Sequence, residues 1–439
     1  MTNDQKIAFF TQTTGEPFYL GIDFGTSGAR AIVIDTAGAI QTEAQYPFTQ
    51  SNTDLAAIWQ TALFNLIEQI SPEVKSKIKA IAINGTSSTV LLCDAAGKPV
   101  DTPILYNDAR GVAVRDKLTE IAPPNHTVLS ATSSLAKLLW WWKCRDVIYN
   151  ASTYFLHQSD WLAFLLHGKL GVSDYHNALK LGYDVENLCY PTWLENQPFS
   201  KLLPKVLSPG TPVSEITPDI ANRFNLPSDC IVCTGTTDSI AAFIASGANF
   251  PGEAVTSLGS TLVIKLLSNT RIDDASYGIY SHRLGDLWLV GGASNTGGAV
   301  LRQFFTDAEL ENLSKEIDAN KESPLDYYPL LKEGDRFPIN DPNLAPKLEP
   351  RPDSPVEFLH GLLESIARIE ALGYQRLQQL GATQLTCVYT AGGGAKNPTW
   401  TNIRARHLQV PIIPPRQTAA AYGTALLALR KSPNTAFSS

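Results

Sequence analysis

One order of elements occurs twice in this chain, and it constrains the fold more than any other feature. Phe18-Tyr-Leu-Gly-Ile-Asp23 is an apolar, strand-like run that ends in a carboxylate. Phe24 to Gly28 is a turn by composition, and Ala29 to Asp35 returns as a strand. Ala37-Gly38 turns again, and Ala39 to Phe48 suits a third strand. Asp54 is placed to cap a helix through Ile70, where Leu55, Ile58, Trp59, Ala62, Leu63, Leu66, Ile67 and Ile70 form one apolar stripe. Lys79 to Asn84 reads as a buried strand after it. The second half repeats this order. Glu253–Ser257 is a strand, Leu258-Gly-Ser-Thr261 a turn, and Leu262–Leu267 and Leu287–Gly291 are strands. A helix follows near Gly298–Phe305, and Thr386–Thr390 is the late counterpart of Lys79–Asn84. Architecture is duplicated here, not sequence. The pattern predicts two α/β domains of similar core, each presenting a hairpin of Gly, Ser and Thr.

The 439 residues fit two or three domains of the usual ~100–200 residues. We expect a polar tail over 1–17, a first domain over 18–247 and a second over 248–432. The breaker-rich Gly247-Ala-Asn-Phe-Pro-Gly252 forms the junction. Ile231–Thr234 reads as a strand, Gly235–Asp238 as a turn and Ser239–Ser246 as an apolar helix. The stretch 111–226, with helical pieces at Leu135–Lys143 and Ser159–His167, looks like an insertion into the first domain. Residues 338–355 are rich in proline and suit an extended loop.

Composition excludes several classes. The net charge of −7 gives no bulk attraction to nucleic acid or anionic lipid. The polar start carries no signal-peptide core, and no run reaches the ~18 apolar residues that span a bilayer. Six cysteines are too sparse for a disulfide scaffold. Cys230 and Cys233 lie in a strand-like run with no second pair, so they read as buried structural thiols rather than a redox or zinc site. The expected setting is cytoplasmic, without membrane or nucleic-acid partners.

The chemistry sits in the turns. There is no Walker GxxxxGK[ST], and no GxGxxG follows a strand. Gly25-Thr26-Ser27-Gly28 would instead wrap phosphate oxygens with backbone N–H groups, because small residues permit close approach. Asp23 beside it is suited to hold Mg²⁺ through water. Alone, this reads first as a plain β-hairpin with a surface Asp. A second hairpin at Ser257-Leu-Gly-Ser260-Thr261, in the equivalent place, points to a phosphate chain clamped between the two. Gly392-Gly393-Gly394, ahead of Lys396-Asn397-Pro398, lets an adenosine lie flat on backbone at the start of a helix.

These segments, in this order, resemble the FGGY carbohydrate kinases of the superfamily that includes actin, hexokinase and the heat-shock ATPases. Tyr327–Pro338 is similar to the family's LPYLSGERTP-type segment, His360–Arg368 to its late signature helix, and Ala420–Ala425 to its closing Gly-Ala helix. The resemblance runs from about Phe18 to Arg430. It implies two RNase H-like (actin-like ATPase) domains facing across a cleft, with ATP and Mg²⁺ bound there. The family's general base lies in a GGGDQ-like turn, which implies Asp238 in Thr234-Gly-Thr-Thr-Asp238-Ser239; an Asp at that place also suits a helix cap. For the sugar the resemblance implies Ser87, in Asn84-Gly-Thr-Ser-Ser-Thr89, together with Asp108 and Asp238. The xylulokinase Met-His and glycerol kinase Arg-Glu pairs are absent from that loop. The loop, Tyr106-Asn-Asp108-Ala-Arg110 and the Asp238 turn look most like a cyanobacterial and plant pentulose-kinase subgroup that prefers D-ribulose. The implied ligands are ATP, bound by Asp23, Thr26, Ser27, Ser260, Thr261, Gly392, Gly393, Gly394 and Asn397, and a pentulose. The alternatives are D-xylulose as acceptor, or a non-catalytic ATP-binding sugar sensor or actin-like ATPase. Trp140-Trp-Trp142, Asp174 and His176 read first as packing residues.

Overall fold

The computed structural model describes residues 16–48, 54–144 and 153–430. The tail expected over 1–17 falls almost wholly outside them. Two mixed sheets form the frame. The first runs Ile40–Pro47, Gly28–Ile34, Phe18–Phe24, Ile78–Gly85, Ile231–Cys233, Pro212–Glu215 from edge to edge. The second runs His282–Leu284, Leu287–Ser294, Leu262–Ser268, Glu253–Leu258, Cys387–Ala391, Ile412–Ile413. Apart from the short first strand of the second sheet, both begin with an antiparallel meander and continue with parallel strands, the first sheet closing on the antiparallel edge strand Pro212–Glu215. The duplicated order read from the sequence is therefore a duplicated topology.

Strand alternation decides what each face does. In Phe18–Phe24, Leu20, Ile22 and Phe24 pack under the helix Leu55–Gln69, together with its Trp59, Leu63 and Leu66. Asp54 caps that helix by accepting from the Ala57 N–H at 3.0 Å. Tyr19, on the opposite face, joins a second core with the helices Asp238–Ser246 and Ala420–Arg430. Val255, Leu267 and Leu289 of the second sheet enter the same core. These two helices thus fill the space between the sheets, and the closing helix packs on the first sheet although it ends the second half of the chain. Contact is tight. A Cβ at Gly21 would lie 2.1 Å from the Ala421 carbonyl oxygen, and one at Gly423 would lie 1.9 Å from that of Ala241.

Helix Gln158–His167 belongs to the first domain's own layer rather than to an insertion. Trp161, Leu162 and Leu166 pack with Leu20 and Ile22. Ile216, Ile220 and Phe224 join the same core, while the earlier part of the stretch has a separate small core around Leu135, Leu139, Trp141 and Phe155. Trp141 is fully buried, as packing predicts, and its indole N–H donates to Asp101 at 3.0 Å. Cys230 and Cys233 are buried free thiols. Among the described residues, no helix is long and apolar enough to cross a membrane.

Candidate active site

Register places the carboxylates. Asp23 pairs with Asn84 across two parallel strands, and Thr236 of the short strand Thr236–Thr237 pairs with the same Asn84. Asp23, Asn84 and Thr236 therefore form one row at the carboxyl ends of neighbouring strands. Asp238 follows two residues later. Segment 235–238 is thus partly strand rather than a free turn. Asp23 lies on the same strand face as Tyr19 and Gly21, toward the second domain.

Asp238 is the first helical residue, not the cap. Thr237 occupies the cap position without a capping hydrogen bond. The Asp238 carboxylate accepts from the Ser239 N–H at 2.7 Å. Burial pushes its pKa up, while that N–H, Lys265 and Lys180 pull it down. Asp23 is pushed up to about 7 by burial first and by the charge of Asp238 second; Arg30 and Asn84 act against both. Its Oδ1 is buried with no hydrogen-bond partner among the described residues, and so are Asn84 Oδ1, Ser88 Oγ and Thr237 Oγ1. Asp23, Asn84 and Thr237 lie on neighbouring strand ends, where unpaired buried polar atoms are costly unless a ligand completes them. A lone acidic oxygen beside a second carboxylate fits a divalent cation. No group of three or more His, Cys, Asp or Glu side chains able to hold a metal occurs among the described residues. Protein ligation would therefore rest on Asp23, with phosphate and water supplying the other ligands.

The two hairpins present Thr26, Ser27, Ser260 and Thr261 exposed. The second is braced by the Ala299 N–H donating to the Ser260 carbonyl at 3.0 Å. Below it, buried Asp335 accepts from Tyr328 O–H (2.7 Å) and the Asn295 N–H (3.0 Å), anchoring the strand that neighbours the hairpin.

The three glycines divide in role. Gly392 has φ +86° and faces the Leu258 carbonyl, and Gly394 faces Trp400 and Leu258, so the fold itself requires both. A Cβ at Gly393 would find nothing nearer than 4.0 Å, at the Arg302 guanidinium. Gly393–Lys396 is a 3-10 turn, and the following helix Pro398–Leu408 is capped by Asn397. Asn397 Oδ1 accepts from the Trp400 N–H (3.0 Å), and its amide donates to Ser314 Oγ (2.8 Å). Asn397 thus shapes the loop.

On the sugar side, Ser87 is half-buried and Ser88 is held at φ +65°. Lys137, fully buried, donates to the Ser88 and Leu105 carbonyls, both at 2.7 Å. Burial pushes its ammonium down to about 7. Asp108 is clasped by Arg110, whose guanidinium donates to Oδ2 at 2.6 Å and stacks 4.6 Å from the Trp140 ring. That pairing holds the Asp108 pKa below its ordinary value. Asp174 caps the helix Tyr175–Ala178 through the His176 and Asn177 N–H groups. A cavity of ≈ 1110 Å³ opens between Lys180, Tyr183 and Trp193 on one side and Tyr280 and Arg336 on the other.

Sequence reasoning passed over the cations. Arg30 is the register partner of Asp23 across the first hairpin. Lys265 donates to the Ser239 carbonyl at 2.9 Å. Lys137 and Lys265 each carried a signal, being single lysines inside apolar runs, Leu135–Trp142 and Leu262–Leu267.

Comparison with known proteins agrees with this geometry. Residues 18–245 match the model of the N-terminal domain of the FGGY family of carbohydrate kinases, and 254–432 match that of its C-terminal domain. A xylulose kinase of Staphylococcus epidermidis is 23% identical over 426 residues, covering 90% of this chain and 83% of that protein. The structure of a "xyloylose kinase" from Brucella ovis superposes with a TM-score of 0.83 at 24% identity, covering 94% and 90% of the two chains. Plasmodium falciparum glycerol kinase with ADP superposes with a TM-score of 0.80 at 17% identity, covering 94% and 89%.

Proposed function

Because the chain belongs to the FGGY family of carbohydrate kinases, we propose that it transfers the γ-phosphoryl group of ATP to D-ribulose, giving D-ribulose 5-phosphate. The observation that carries this reading is the row Asp23, Asn84, Thr236 with Asp238 just beyond it, on the cleft side of the first sheet. Asp238 is the general base. As the sugar hydroxyl oxygen bonds to the γ-phosphorus, its proton passes to the Asp238 carboxylate, the bond to the β-phosphate bridging oxygen breaks, and ADP leaves.

The remaining residues position and exclude water. Thr26, Ser27, Ser260 and Thr261 hold the phosphate chain between the hairpins through backbone N–H groups and hydroxyls. Gly392, Gly393 and Gly394 leave the face on which adenosine lies, and Asn397 fixes the following helix. Ser87 and Asp108 face the sugar, Asp108 in a carboxylate set by Arg110. Asp23 would hold Mg²⁺, which supplies charge neutralisation to the phosphates when bound.

The choice of D-ribulose rests on the resemblance of the Asn84–Thr89 loop, Tyr106–Arg110 and the Asp238 turn to the ribulose-preferring subgroup. A second reading, D-xylulose, is favoured by a relative named xylulose kinase. A panel of pentuloses and polyols with coupled ADP detection tests both. D-ribulose should give the highest kcat/KM. A higher value for D-xylulose would replace it.

A further inference from the structure

Two polar side chains tie the Asp238 turn to the second domain, Lys265 from the second domain itself and His176 as a bridge from the first. Lys265 lies in the second-domain strand Leu262–Ser268, where Leu262, Ile264 and Leu266 face that domain's own core. Leu267, on the other face, enters the core between the domains. Lys265 shares this second face, and its ammonium reaches the Ser239 carbonyl at 2.9 Å, one residue beyond Asp238. Burial pushes that ammonium down to about 8, with Asp238 pulling it up and Lys180 down. The second contact is made by His176. Its Nδ1 accepts from the Thr236 hydroxyl at 2.7 Å, and its Nε2–H donates to the Arg283 carbonyl at 2.6 Å. Thr236 lies two residues before Asp238, and Arg283 belongs to the second sheet.

Stability alone does not account for Lys265. The first turn of a helix is its positive end, and a cation there is disfavoured. Lys265 is half-buried and bonds the carbonyl of exposed Ser239, so this bond adds little to folding. What the ammonium does achieve is to join the second domain to the turn that holds the base. Transfer without loss to water requires the cleft to be closed with that turn in register.

We infer that Lys265 is a positioning residue that locks the closed cleft onto the Asp238 turn, with His176 as the neutral second tie. This rests on the reading of Asp238 as base. The contact belongs to the closed arrangement, so its removal acts on turnover and not on the separate binding of ATP or sugar.

The test compares Lys265→Met, Lys265→Gln and Lys265→Arg with Asp238→Asn in the full-length enzyme, with D-ribulose and D-xylulose as acceptors. Lys265→Met should lower kcat at least about tenfold while both KM values stay within about threefold. Its melting temperature should equal or exceed that of the wild type, and Lys265→Arg should restore most of kcat. ATP hydrolysis per sugar phosphorylated should rise in Lys265→Met. If Lys265→Met folds poorly, Lys265→Gln carries the same expectations. Unchanged kcat in the Met or Gln variant, with Asp238→Asn inactive, overturns the positioning role and leaves the base assignment standing. A kcat loss that follows a fall in melting temperature, and that Arg does not restore, also overturns it. An active Asp238→Asn enzyme removes the base assignment and this inference with it.

Discussion

Three consecutive glycines permit a test that separates a residue the fold requires from one a ligand requires. At Gly392 an added Cβ would sit 2.5 Å from the Leu258 carbonyl oxygen, on backbone at φ +86°. At ψ 178° this is a nearly glycine-only backbone region that costs a side chain about 1–3 kcal/mol, and the clash adds about 1–3 kcal/mol, so Gly392→Ala should lose about 2–6 kcal/mol. At Gly394 the Cβ would lie 2.6 Å from the Trp400 ring and 2.7 Å from Leu258 Cβ, and Gly394→Ala should lose about 1–3 kcal/mol. At Gly393 the nearest atom is the Arg302 guanidinium at 4.0 Å, so Gly393→Ala should change stability by no more than about 0.5 kcal/mol. Denaturation followed by tryptophan fluorescence suits the measurement, since buried Trp400 packs against this loop. ATP titration calorimetry should give the opposite ranking for Gly393. Gly393→Val should keep the wild-type melting temperature yet weaken ATP at least about tenfold, or about 1.4 kcal/mol. Normal ATP affinity in that variant would refute the placement of adenosine against Gly393. A large stability loss would refute the claim that the space beside it is open.

Three further outcomes follow from the geometry. Asp238→Asn should lower kcat by about 10²–10⁴ while calorimetry finds ATP binding within a few-fold of wild type. Arg404 and Glu370 form a fully buried pair (Nε to Oε2, 2.6 Å), so Arg404→Met should cost about 3–5 kcal/mol, and adding Glu370→Leu should recover most of it in urea unfolding. Asp23 titrates near 7 in the folded protein against an ordinary 3.8, so the folded state binds this proton more tightly than the unfolded one. Metal-free enzyme should therefore be stabilised below about pH 4 and lose on the order of 4 kcal/mol as the pH climbs to about 7. Asp23→Asn should flatten that slope, and an unaltered melting temperature against pH would count against the unpaired carboxyl.

What the sequence made legible was whatever local composition controls. Small residues at 25–28 and 258–261 announced the hairpins, and Asp54 announced its helix. The Asp238 turn was recognisable because the segment is contiguous. What stayed hidden depends on pairing between distant segments. Arg30 meets Asp23 only through the hairpin register. Lys265 meets Ser239 only when the two sheets face each other across the helices Asp238–Ser246 and Ala420–Arg430. Asn397 looked like a nucleotide contact, and capping geometry gave both ends of its amide to the protein. Asp238 shows the reverse error. Composition allowed a helix cap, but Thr237 holds that position because Thr236–Thr237 forms a short strand against Asn84–Gly85 and the helix starts at Asp238.

The charge of the chain takes on a specific meaning at this site. In the proposed site, a protein at −7 sets two carboxylates, Asp23 and Asp238, beside the phosphates of its substrate. Bulk electrostatics would oppose such a ligand, and long-range steering cannot supply its affinity. The compensating charges are local and come from separate segments. Arg30 comes from the first hairpin, Lys180 from the inserted stretch and Lys265 from the second sheet. Each is placed by a different part of the fold, and Lys265 joins the set only across the gap between domains. The full positive set therefore draws on both domains. Under the positioning role inferred for Lys265, closure would bring the second-domain cation beside Asp238 when phosphoryl transfer needs it. A cation fixed on the first domain beside Asp238 would give equal charge with the cleft open or closed and would make no such distinction.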